Sequence, residues 1–135
     1  MNATATFTPA KWDEKPYEQV SPTMKMTKAS VEFGFKGQME GSAATEYVMF
    51  YKDYDDRDMH KSTAVYVGLT RFKGTLNGKK GSFATEDRGT FECGLAVTIS
   101  TVIPGSGTEE LKGISGKAKS ESTHTGSKFQ LEYSL

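Results

Sequence analysis

From Ala3 to Tyr133 the apolar residues recur with a period of two rather than 3.6, and that pattern commits the chain to strands. Val31, Phe33 and Phe35 share one face. Tyr47, Met49 and Tyr51 oppose Val48 and Phe50, and Tyr66 and Phe72 oppose Val65, Val67 and Leu69. Near the C-terminus, Phe129, Leu131 and Tyr133 alternate with Lys128, Gln130 and Glu132. Glycines punctuate the pattern between Gly74 and Gly116, and Gly81-Ser82-Phe83 and Gly89-Thr90-Phe91 each lead back into extended structure. Asn77-Gly78 is a hairpin signal, because both residues tolerate positive φ, with a loop lengthened by Lys79-Lys80. The strands fall at residues 3–12, 26–39, 45–52, 64–76, 81–93, 95–103, 114–121 and 128–133. The fifth is expected to bend at Glu86-Asp87-Arg88.

Eight strands joined locally can close and remove their edges, so the expected fold is an all-β, closed eight-stranded antiparallel meander barrel. An immunoglobulin-like sandwich ranks second, because its buried cysteine pair is absent and nothing calls for Greek-key crossovers. After Pro104 the extended run must stop. Thr108 is placed to cap one helical turn, with Glu109 and Glu110 at its positive end and Leu111 pointing inward. The third and fourth strands are apolar on both faces, which implies cover from the long N-terminal loop or from another subunit, hence a homo-oligomer.

At 135 residues the chain forms one expected domain, 1–135, able to bury roughly two thirds of its unfolded surface. Lys plus Arg and Asp plus Glu number 17 each, so nothing marks a polyanion-binding field, and no nucleic-acid partner is expected. The only cysteine, Cys93, cannot form an internal disulfide, and residues 1–6 lack the basic and apolar regions of an export signal. The expected setting is therefore the cytoplasm. No apolar run approaches the roughly 20 residues of a membrane-spanning helix, so no membrane partner is expected.

The common catalytic patterns fail on inspection. His60 and His124 have no second ligand at metal spacing, so neither metal nor cofactor is implied. The acidic run from Asp53 has Asp58 where a calcium loop needs Gly and Ala64 where it needs Glu. Gly105-Ser106-Gly107 lacks the Gly-Lys of a phosphate loop and precedes two carboxylates, and there is no Gly-x-Ser-x-Gly elbow. Cys93 reads as a small buried hydrophobe. What remains is the set of polar residues in mid-strand: Glu46, Arg71, Glu86 and Glu92, with Trp12, Tyr51 and Tyr66 near them in the pattern. Enclosed in a barrel, a carboxylate would have a raised pKa suited to proton transfer, and an arginine could hold a ligand carboxylate.

Trp12-Asp13-Glu14, Glu46-Tyr47, Tyr66-Val67-Gly68-Leu69, Gly81-Ser82-Phe83 and the stretch from Pro104-Gly105-Ser106-Gly107-Thr108 through Leu111-Lys112-Gly113 carry a likeness that runs over nearly the whole chain. In these motifs it resembles a bacterial family of small proteins of unknown function, itself similar to allene oxide cyclase barrels. The resemblance implies a closed eight-stranded barrel related in shape to the plant cyclases, dirigent proteins and, more loosely, lipocalins. It implies no activity. Thr70 and Glu109 stand where the family pattern favours Glu and Gly. Three functions are compatible with these residues. The first is a barrel binding a small apolar or amphipathic molecule in its lumen. The second is an isomerase- or cyclase-type enzyme using a lumen carboxylate, Glu46 or Glu86, and the third is a structural oligomer without ligand.

Overall fold

The computed structural model describes residues 1–135. Eight strands follow one another around a closed barrel, each antiparallel to its neighbours: β1 (Asn2–Gln19), β2 (Lys25–Gly37), β3 (Met39–Asp53), β4 (Thr63–Leu76), β5 (Lys79–Glu92), β6 (Leu95–Val102), β7 (Ser115–Thr123) and β8 (Gly126–Ser134). No helix is long and apolar enough to cross a membrane.

Several expectations are corrected. β1 continues through Gln19, so no long N-terminal loop covers the outside. β3 begins at Met39, six residues before the apolar alternation is clear, because Gly41, Ser42, Ala43 and Ala44 pair with β2 and β4 although they signal nothing by themselves. Asn77 and Gly78, at φ 48° and 84°, form a two-residue turn by themselves, and Lys79 already belongs to β5. β5 does not bend at residues 86–88 but keeps its register with β4 throughout. Cys93 is exposed rather than buried, because it shares the two-residue turn into β6 at φ 52°.

One end of the barrel is packed solid. Phe72, Phe83, Leu76, Met39, Leu131 and Tyr133 gather there with Leu111 and Ile114 from the β6–β7 connection. A 3₁₀ turn at Glu109–Leu111 delivers Leu111, fully buried, beneath the sheet, and each such apolar side chain contributes about 1.5–3 kcal/mol. Thr108 precedes that turn but does not cap it. Its Oγ1 instead accepts from the Ser82 backbone N–H at 3.1 Å and meets the Ser82 hydroxyl at 2.7 Å, tying the connection to β5.

The other end is taller and open. β1 pairs with β8 only from Asn2 to Thr6 and beyond that with β2 alone. Pro9 and Pro16 lie in this free-edge portion, where a missing N–H costs little and discourages pairing with another chain. A bulge between Pro9 and Lys11 puts one extra residue into β1 and changes which residues face inward. Ala3, Ala5 and Phe7 face in before it. Trp12 and Glu14, opposite Val31 and Ala29, face in after it, which keeps Lys11, Asp13 and Lys15 outside.

Candidate functional site

Above the packed end the barrel encloses a cavity of about 660 Å³. Its walls follow from the register. One ring of inward positions runs Ala29, Tyr47, Gly68, Asp87, Ser100, Ala118 and Leu131 across β2 to β8, and the next ring towards the mouth runs Thr27, Met49, Tyr66, Gly89, Thr98, Ser120 and Phe129. Each tyrosine is followed, one strand over, by a glycine. A Cβ on Gly68 would lie 2.7 Å from Tyr47 Cδ1, and one on Gly89 would lie 2.3 Å from Tyr66 Cζ. The missing side chains let the two rings lie across the neighbouring strands, where they meet edge to face with centroids 5.1 Å apart.

Asp87 stands beside them, only 6% exposed. The Thr85 hydroxyl donates to its Oδ1 at 2.8 Å and the Thr70 hydroxyl donates to its Oδ2. Thr70 has one proton to give, so its 2.7 Å contact with Thr45 must be donated by Thr45, and a hydroxyl chain runs from β3 to the carboxyl. Burial pushes the Asp87 pKa above the ordinary carboxylate value, while the hydroxyls of Thr70, Ser100 and Thr85 pull it back. Burial is also the main cause of the raised pKa values of Tyr47 and Tyr66. For Tyr47 the nearby Asp87 adds to the effect, whereas for Tyr66 a bond to Thr98, with oxygens 2.6 Å apart, opposes it. No buried side-chain nitrogen or oxygen lacks a partner. The Tyr47 hydroxyl, which bonds to no protein group, therefore opens onto the lumen whose wall it forms.

Nearer the mouth a second carboxylate is held. Glu14 accepts from Thr27 Oγ1 at 2.7 Å, from the Tyr51 hydroxyl at 2.8 Å and from Trp12 Nε1 at 3.1 Å. Burial raises the Tyr51 pKa and the adjacent Glu14 raises it further. His60 and His124, from the β3–β4 loop and the β7–β8 turn, complete the rim.

Of the residues expected in the lumen, Tyr51 and Tyr66 are buried there and Trp12 lines the cavity while half exposed. Glu46, Arg71, Glu86 and Glu92 are not there. All four are exposed on the outer face, where Glu46 accepts from Ser30 Oγ at 2.6 Å and Arg71 donates to Ser82 Oγ at 3.3 Å. Alternation is the reason: Glu46 lies between Thr45 and Tyr47, Arg71 between Thr70 and Phe72, Glu86 between Thr85 and Asp87, and Glu92 follows inward Phe91. Counting outward from Phe83 and Phe91 puts Thr85, Asp87 and Gly89 on the aromatic face of β5, and that count was the available signal for Asp87.

The model of a protein family of unknown function, DUF3224, matches residues 3–134. The chain belongs to this family. A crystal structure of another DUF3224 protein of unknown function, from Shewanella oneidensis MR-1, is similar over 100% of this chain and 97% of that one, with a TM-score of 0.75 and 18% identity. At that identity the likeness speaks for the shared barrel alone. No curated protein matches the chain.

Proposed function

We propose that the barrel binds one small, largely apolar molecule, with its polar group directed at Asp87 and Tyr47. The carrying observation is the cavity of about 660 Å³, aromatic-walled and closed below, into which one free phenol and one buried carboxyl project. Such a ratio of apolar wall to convergent polar groups is what small-molecule sites present. Thermal-shift screening against cell extract and a lipid and terpenoid panel tests it. A ligand present at 100 times its Kd should add about 2.7 kcal/mol of stability. If no member of either set raises the melting temperature, the reading fails. A proton-transfer role, expected at Glu46 or Glu86, now falls to Asp87, whose raised pKa and hydroxyl chain suit holding and moving a proton. Turnover of a bound ligand that disappears in Asp87→Asn would mark an enzyme.

We further infer that a second copy covers the outer face of β3 to β6. Val48 lies opposite Val67 there, and Val65, Leu69 and Ile99 flank them, all exposed. Lys28 and Arg88 flank the Val48–Val67 pair, and Glu46 and Glu86 flank Leu69 in the adjoining row, so the patch carries both charges and can pair with its own copy in a two-fold contact. Light scattering should find a dimer that Leu69→Lys dissociates; a native monomer at high concentration refutes it.

A further inference from the structure

We infer that the molecule held in the lumen carries a basic nitrogen, seated at Asp87 against the rings of Tyr47 and Tyr66. This rests on the reading of the lumen as a binding site and names the chemistry it selects. No lysine or arginine lines the cavity. The chain's one ion pair, Lys119 to Glu121, lies on the surface, so Asp87 is buried with no cation near it. Burying a carboxylate without a counter-charge is costly, and a ligand ammonium removes that cost where a neutral ligand cannot. The other carboxylates that line the cavity, Glu14 and Asp58, have the same sign, and the only basic groups are His60 and His124 at the mouth. A carboxylate-bearing ligand would therefore bring a second negative charge into a desolvated space with nothing to receive it.

The geometry suits an amine further. The hydroxyls of Thr70 and Thr85 occupy one acceptor position each, on Oδ2 and Oδ1 of the Asp87 carboxylate, and fix its orientation, which leaves acceptor capacity on both oxygens for a ligand N–H. The Tyr47 oxygen offers a second acceptor. The tyrosine faces add cation–π attraction, which is strongest where water is excluded. Arg71, which enclosed could have held a ligand carboxylate, points outward instead.

Isothermal titration with two matched series tests this: octylamine, 1-octanol and octanoate, then 1-naphthylmethylamine, 1-naphthylmethanol and 1-naphthoate. In each series the amine should bind tightest and the carboxylate weakest. Asp87→Asn should weaken the amine about thirty-fold or more, as loss of one partner of a buried charge pair does, and leave the alcohol nearly unchanged. Should that variant not fold, the order within each series in the native protein still decides. An alcohol or carboxylate that binds tightest, or an Asp87→Asn variant that keeps the amine affinity, overturns the amine assignment while leaving lumen binding intact. If none of the six binds, the amine assignment is likewise overturned, and the lumen reading is decided separately by the extract and panel screen.

Discussion

Gly68→Ala and Gly34→Ala make the same chemical change in the interior of two strands, yet they should move stability in opposite directions. A Cβ at Gly34 meets nothing within 4 Å, and the backbone there does not require glycine. Adding a methyl restricts the unfolded chain and should stabilise by about 0.4–1 kcal/mol. At Gly68 the new carbon would stand 2.3 Å from the Glu46 carbonyl oxygen and 2.7 Å from the Tyr47 ring. An ordinary contact needs about 3.5 Å, so β3 and β4 must part by about 1 Å or the ring must leave its place. Both are constrained, the first by the β3–β4 ladder and the second by the edge-to-face contact with Tyr66. Overpacking of this kind costs about 1–3 kcal/mol. The two variants should therefore differ by about 2 kcal/mol or more in urea denaturation, or roughly 6–10 °C in melting temperature for a chain of this size. Near-ultraviolet circular dichroism of Gly68→Ala should change as Tyr47 is displaced. A Gly68→Ala protein as stable as Gly34→Ala, with an unchanged aromatic spectrum, would refute the claim that the glycine exists to seat the tyrosine.

The remaining predictions concern titration and backbone. Because the Asp87 pKa is raised on folding, the native state holds its proton more tightly than the unfolded chain. Its contribution is fully present below the ordinary value of 3.8 and is lost as pH rises through the native value, so Asp87→Asn should flatten the decline of stability above about pH 4. Tyr47, Tyr51 and Tyr66 are likewise raised, and their contribution is lost only as pH climbs past the ordinary tyrosine value of 10.0. Replacing any of the three with Phe should leave the native protein's tyrosine absorbance change near that pH undiminished, and a loss of amplitude would contradict their burial. Glu109 adopts φ 55°, a conformation that costs a side chain about 1 kcal/mol and glycine almost nothing. Glu109→Gly should therefore raise the urea midpoint or leave it unchanged, even though glycine also loosens the unfolded chain.

Period-two alternation and local turn chemistry were enough for the strand count, the antiparallel order and the closure. Each of these depends on residues adjacent in sequence, or on the need of an eight-stranded sheet to satisfy its edges. Which residues share the aromatic face of β3 and β4, Tyr51 and Tyr66 among them, was equally legible, although the apolar opposite face left its direction open. The polar face was not, because mid-strand charges look alike whichever way they point: Glu86 and Asp87 are neighbours, and only the positions of Phe83 and Phe91 on the same strand distinguish them. The bulge at the start of the free edge of β1 was invisible as well, although it decides that Trp12 and Glu14, not Lys11 and Asp13, face the lumen. Alternation and turns therefore specify a barrel. What that barrel encloses depends on contacts between strands, because an inward carboxyl becomes a site through residues of β3, β4 and β5 that are distant in sequence: two glycines that admit two rings, two hydroxyls that orient Asp87, and the absence of any cation to neutralise it.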